Sequence, residues 1–147
     1  MPSDDLYGSY NFLLEIAGTT ADAGTITGGF SAVSGMASET EVVTFRGGHD
    51  RAIRKLPGRT TYGDIVLERG FTGSDELWRW RRNIEDGILD RRAGTLTILD
   101  QDLTSIVAQF HFYEAWPCKW VAPEMAARAS GMAIEALVLA VERIERA

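Results

Sequence analysis

Cysteine is nearly absent from the chain: Cys118 is the only one, so no internal disulfide framework exists. Histidine is almost as scarce, with His49 and His111 alone, and no Cys or His pair has the spacing of a zinc site. No stretch reaches the roughly 20 apolar residues that a membrane helix needs. No GxGxxG, GxxxxGK[ST] or GxSxG motif occurs, which removes the phosphate loops and the nucleophile elbow. Positive charge is also short, with 15 Lys and Arg against 21 Asp and Glu and a net charge of -6. That balance argues against general nucleic-acid binding, which needs a basic field. The opening MPSDDLYGSY carries acids where a secretory leader needs bases. The expectation is a protein made in the cytoplasm, with no membrane insertion, no metal, no cofactor and no enzymatic activity.

The scarce positive charge is concentrated. Arg46, Arg51, Arg54, Lys55 and Arg59 stand in one stretch against a single acid, Asp50. Gly47, Gly48 and Gly58 lie among them. Most connections in compact domains run about 4–6 residues, so an arm this long requires an explanation. A phosphate grip lacks the interleaved aromatics of single-strand binders, since only Phe45 and Tyr62 flank the arm. Docking on acidic surface of a neighbouring copy fits better, because the rest of the chain is acidic. Cys118, in WPCKW, has no nucleophile context and reads as a structural cysteine.

With 147 residues the chain suits one domain, large enough to bury a core. Residues 1–9 read as a polar N-terminal arm. Tyr10 to Ile16 alternates as a strand, and Gly18 to Gly29 is Gly- and Thr-rich loop. Phe30 to Val33 is a short apolar piece, and Glu39 to Phe45 is rich in Thr and Val, as strands are. Pro57-Gly58 signals a turn at the arm's end. Thr61 to Arg69 puts Ile65 and Leu67 on one side.

Ser74 to Asp86 reads as a helix, with Ser74 as N-cap and Gly87 placed to end it. Leu77, Trp80 and Ile84 share its buried face, and Asp75–Arg79, Arg81–Glu85 and Arg82–Asp86 are i,i+4 pairs. Strands follow at Gly94 to Asp100 and Ser105 to Ala115. Trp116-Pro117 then breaks the pairing, which Cys118 to Val121 resumes on a shifted line. Met132 to Ile144 fits a helical face and a strand equally, and periodicity alone leaves it open.

A set of pieces, in order, then carries a resemblance. They include Gly29-Phe30-Ser31, Glu39-Thr40-Glu41-Val42, Arg54-Lys55-Leu56-Pro57-Gly58 and Tyr62-Gly63-Asp64-Ile65. Leu67-Glu68-Arg69-Gly70, Asp90-Arg91-Arg92, Ala115-Trp116-Pro117 with Lys119-Trp120, and Ala133-Ile134-Glu135 follow. From about Asn11 to Arg143 the chain resembles the tail tube proteins of contractile phages and phage-tail-like contractile injection systems. The resemblance implies a mainly β fold: two packed antiparallel sheets forming a partly open β-barrel, with one flanking helix at about residues 75–86. It implies a strand for Met132 to Ile144. It also implies hexameric rings stacked into a hollow inner tube, inside a contractile sheath and between baseplate or spike and tail-terminator proteins.

DNA or protein cargo would pass along a largely negative bore. Residues 46–59 match the extended loop that reaches the adjacent ring, so Arg46, Asp50, Arg51, Arg54, Lys55, Leu56 and Arg59 are the expected inter-ring contacts. Alternatives are a tube-initiator paralogue near the baseplate, or a nucleic-acid-binding β-barrel module. Three stretches depart from the family pattern. The loop before Gly29 is longer, the Asp100 to Thr104 turn lacks a glycine, and Ala126-Ala127-Arg128-Ala129 replaces a more polar run.

Overall fold

The computed structural model describes residues 8, 11–18, 25–27, 29–49, 51–128 and 131–147. Along them run β1 (Phe12–Ile16), β2 (Ile26–Thr27), β3 (Phe30–Ser34), β4 (Ser38–Phe45), β5 (Arg54–Tyr62) and β6 (Ile65–Gly70). The helix α1 (Glu76–Glu85) follows, then β7 (Arg92–Leu99), β8 (Ile106–Val121), β9 (Ile134–Ala140) and β10 (Arg143–Arg146). The fold is mainly β, with two antiparallel sheets that share β8 and no closed barrel among the described residues. One sheet holds β2, β1, β7, the first half of β8 and β10. The other holds the second half of β8, β9, β6 and β3. The short β2 lies in what reads as loop, and Ile26 is the residue that anchors it, being fully buried.

The two sheets meet where β8 bends. Glu114 takes a left-handed conformation at φ 54, and the register shifts between Pro117 and Lys119. A strand that switches sheets through a bend or bulge is how such corners are made. Pro117 therefore shifts the pairing without ending the strand, because the bulge spares its missing N–H. The carbonyl of Pro117 accepts from Arg81 Nη1 at 2.9 Å, which fastens α1 to the corner. β9 and β10 bend in step: Ala140 lies opposite Trp116, and Arg143 opposite Tyr113. The ambiguous C-terminal segment is thus strand, because its period-2 residues Leu137 and Leu139 fill the core between β6 and β8.

The core is built by alternation. Leu14 and Ile16 from β1, Ile65 and Leu67 from β6, Phe112 from β8, and Leu137 and Leu139 from β9 are all buried. α1 adds Leu77 and Trp80, as its face predicts, each contributing about 1.5–3 kcal/mol on burial. Trp80 Nε1 donates to the Asp90 carbonyl at 2.8 Å, and the Arg92 guanidinium sits 4.9 Å from the Trp80 ring. The three expected i,i+4 ion pairs of α1 form. Its cap differs from the reading: Asp75 is the N-cap and makes no side-chain cap bond. Ser74 instead donates its own N–H to Thr72 Oγ1 at 3.2 Å.

The glycine-free turn between β7 and β8 is made by other means. Leu103 takes φ 61, and Asp102 Oδ1 accepts from the N–H groups of Thr104 and Ser105, each at 2.9 Å. Those bonds hold the Asp102 carboxyl well below the usual carboxylate range. The stabilisation is therefore present above the ordinary carboxylate pKa and is lost as pH falls through the depressed one. Leu103→Gly should stabilise the domain by about 0.5–1 kcal/mol, since left-handed backbone costs about 1–2 kcal/mol outside glycine and glycine's own entropy returns part of it. A chemical denaturation midpoint measures this.

Candidate functional site

β4 and β5 pair only with each other and form a separate two-stranded ribbon. Every residue of β4 is exposed, and so is every residue of β5 except Tyr62. A two-stranded ribbon is marginal in water on its own. Its tip is residues 46–53, between the two strands. The basic arm is therefore a ribbon with a short tip, where a loop over 46–59 was expected. Pro57-Gly58 is no turn either. It lies inside β5 at a bulge, where the register passes from Thr40 opposite Thr60 to Val42 opposite Pro57. Both strands of a lone pair are edges, which is where proline is tolerated.

The ribbon leaves the body through a narrow crossing. The Gly63 N–H donates to the Ala37 carbonyl at 2.9 Å. Gly35 takes φ +86, and a Cβ there would lie 2.1 Å from the Asp64 carbonyl oxygen. Beyond the crossing, Thr40 and Thr60 share a hydroxyl hydrogen bond at 2.9 Å across the strands. Gly35→Ala should therefore misdirect the whole ribbon. It adds strained backbone worth about 1–3 kcal/mol and a backbone clash that only movement of β4 or β6 relieves. Thermal unfolding checks the first effect and assembly the second.

Register sorts the expected contact residues. Val43 faces Leu56 and Phe45 faces Arg54, while Thr44 faces Lys55. Directly opposed residues share a face, so Arg54 and Leu56 lie with Val43 and Phe45 on one side, and Lys55 lies on the other. Arg46 and Arg51 are in the tip, and Arg59 is at the bulge. Asp50 lies outside the described residues. Arg54 and Lys55, adjacent in sequence, thus address opposite surfaces.

The sequence reading concentrated on charge and, Leu56 apart, passed over the apolar side chains. Val42, Val43, Phe45, Ile53 and Leu56 are 42–62% exposed on the ribbon. The run Val42-Val43-Thr44-Phe45 carried that signal, because a strand with both faces apolar and no core nearby needs a partner surface. One face combines Val43, Phe45 and Leu56 with the Arg54 guanidinium, which suits a contact with an apolar centre and a charged rim.

Elsewhere the chemistry is quiet. Among the described residues no group of three or more His, Cys, Asp or Glu is placed to hold a metal ion. The Cys118 thiol donates to the Val138 carbonyl at 3.5 Å, and burial pushes its pKa up, the opposite of nucleophile activation. His111 Nδ1 is paired with Thr95 Oγ1 at 2.9 Å. No helix is long and apolar enough to cross a membrane among the described residues.

A family model described as T4-like virus tail tube protein gp19 matches residues 8–145. No curated protein matches the chain. Among solved structures, a chain of the sheath-tube complex of the extracellular contractile injection system PVC, in its extended state, is similar with a TM-score of 0.84. It is 21% identical over 98% of this chain and 93% of that one. A chain of the anti-feeding prophage baseplate gives a TM-score of 0.86 at 20% identity, over 99% of this chain and 97% of that one. Hcp1 from Flavobacterium johnsoniae gives 0.56 at 18% identity, over 91% and 94%.

Proposed function

The chain belongs to the family of the T4-like virus tail tube protein gp19, and from that membership we propose that it is the inner-tube subunit of a contractile particle. Subunits form hexameric rings, and rings stack around a hollow lumen that passes DNA or protein cargo. A contractile sheath surrounds the tube, a baseplate starts it and a terminator ends it. The subunit is made in the cytoplasm and does its work by assembly, without catalysis.

The observation that carries this reading is the β4–β5 ribbon, nine residues long in β5, exposed along its length and apolar on both faces. A monomer gains nothing by building it. A head-to-tail stack does, because heterologous contacts that do not close generate a filament. The open seam of the two-sheet body supports ring formation in the same way, since unpaired edges are liabilities that a ring of neighbours removes.

Electron microscopy of concentrated protein, and of particles from producing cells, should show hollow stacked rings. A subunit that stays monomeric when concentrated and is missing from particles would refute the reading. A few-copy initiator at the baseplate would share the fold, and quantitative mass spectrometry separates the two by copies per particle.

A further inference from the structure

β8 carries two faults in its pairing, close together and on opposite edges. Against β7 the register passes from Ala115 opposite Arg92 to Phe112 opposite Gly94, so Tyr113 and Glu114 face Ala93 alone. Against β9 it passes from Pro117 opposite Leu139 to Lys119 opposite Val138, so Cys118 is extra. Bulges bend a strand and tighten its twist, and curved sheets are built with them. Glu114 takes φ 54 inside the first bulge. Among the described residues only Leu103 shares a positive φ outside glycine, and it lies in a turn. Left-handed backbone in a long side-chain residue persists only where its surroundings hold it.

What holds Glu114 is a clip. Arg91, which immediately precedes β7, places Nη1 3.7 Å from Glu114 Oε2 and 2.7 Å from Glu142 Oε1. Glu142 lies between β9 and β10, where the neighbouring strand line also breaks, and its N–H donates to the Tyr113 carbonyl at 3.2 Å. One guanidinium thus fastens the bends of both strand lines that pass from the first sheet to the second. All three side chains are exposed, and exposed ion pairs add little stability. The clip fixes a geometry.

We propose that Glu114 and Arg91 are positioning residues that set the angle between the two sheets, and through it the number of copies in a ring, an inference that rests on the tube reading above. Ring neighbours meet through the open edges of the two sheets, and β8 is the strand that both sheets share. The corner therefore sets the direction in which one copy presents its edge to the next. A ring forms only where the rotation between copies closes, and rings of neighbouring size differ by a small rotation per subunit. A left-handed residue locked through its side chain narrows that rotation. Strain kept at one point of an otherwise regular strand is accounted for by such a use.

The test compares Glu114→Gly and Arg91→Gln with wild type, by thermal unfolding and by native mass spectrometry and electron microscopy of concentrated protein and of particles. Glycine takes left-handed backbone freely, so Glu114→Gly should raise the melting temperature by a few degrees. Arg91→Gln changes an exposed side chain and should hold it within about 2 °C. Both variants should nonetheless broaden ring size, giving rings with one copy more or fewer beside the wild-type ring. A role in stability alone predicts the reverse for Glu114→Gly, a firmer subunit with rings as uniform as before. Rings of the single wild-type size, or no rings, from either variant overturn this inference and leave the tube reading standing, because wild type still forms rings. Failure of wild type to form rings, both in concentrated solution and in particles, overturns both.

Discussion

Reversing the charge at Arg54 and Lys55 should abolish tube growth while leaving the subunit folded. The two side chains lie on opposite faces of the ribbon, so Arg54→Glu/Lys55→Glu attacks both surfaces the ribbon can touch. Both are exposed, and surface changes of this kind usually move stability by no more than about 0.5 kcal/mol. Truncating one partner of a desolvated charge pair at an interface costs about 2–5 kcal/mol, and a like charge in its place costs more. In the proposed hexameric ring the joint would occur six times. If six ribbons act together, even about 1 kcal/mol lost at each sums to about 6 kcal/mol, a factor of about twenty thousand in the stacking equilibrium.

Negative-stain images should show single rings where wild type gives long tubes, with circular dichroism and melting unchanged. Filaments of wild-type length from the double variant would refute the docking role. The neutral pair Arg54→Gln/Lys55→Gln should give shorter tubes at low salt. For wild type, raising the salt should weaken stacking, since exposed charges more than about 8 Å apart are screened at physiological ionic strength.

The second large effect is on the body. Glu135→Ala should lower stability by about 3–5 kcal/mol, because it leaves the Arg69 guanidinium buried without its one buried carboxylate partner. Arg69 and Glu135 face each other across β6 and β9, with Nη2 3.3 Å from Oε1 and side-chain exposures of 5% and 3%. Glu135 Oε2 also accepts from Trp120 Nε1 at 3.3 Å, so the substitution orphans a second donor. Glu76, at 3.3 Å from Arg69 Nη1, holds the other side of the guanidinium, and the Phe30 ring lies 5.7 Å from it. These remaining partners place the expected loss toward 3 kcal/mol.

For a domain of this size each kcal/mol is worth about 2–4 °C, so the melting temperature should fall by roughly 6–12 °C. The double variant Arg69→Met/Glu135→Leu should recover most of that loss, since an apolar pair of similar volume needs no charge compensation. A single variant within 1 kcal/mol of wild type would contradict this account of the network. The network joins α1, β3, β6, β8 and β9.

Local patterns were legible in the sequence, and distant pairings were not. The alternation of Ile65 and Leu67, and the helical face of Leu77 and Trp80, follow from fixed periods of the backbone, and both are buried where those periods put them. The mainly β, two-sheet fold with one helix was legible through resemblance, as was the strand at Met132 to Ile144. Which carboxylate meets Arg69 was not, because Glu135 lies 66 residues away and register alone decides the pair.

The Ser74 cap misled because a cap residue acts only if the backbone before it turns the right way. Pro57-Gly58 misled because a proline that punctuates a central strand is harmless on an edge. The same local bias hid the ribbon's apolar face. Val43 and Phe45, beside the expected Leu56, resemble ordinary core residues until the structure leaves them without a core. The seven residues expected at the joint divide accordingly: Arg54 and Leu56 share a face with Val43 and Phe45, Lys55 lies opposite, Arg46 and Arg51 stand in the tip, Arg59 is at the bulge, and Asp50 lies outside the described residues.

A helical reconstruction of the assembled tube by cryo-electron microscopy tests the central claim most directly. It should show hexameric rings in which each β4–β5 ribbon, Arg54 and Lys55 included, spans the gap to the adjacent ring. Ribbons packed only within their own ring, or projecting into solvent with no ring beyond, would contradict it.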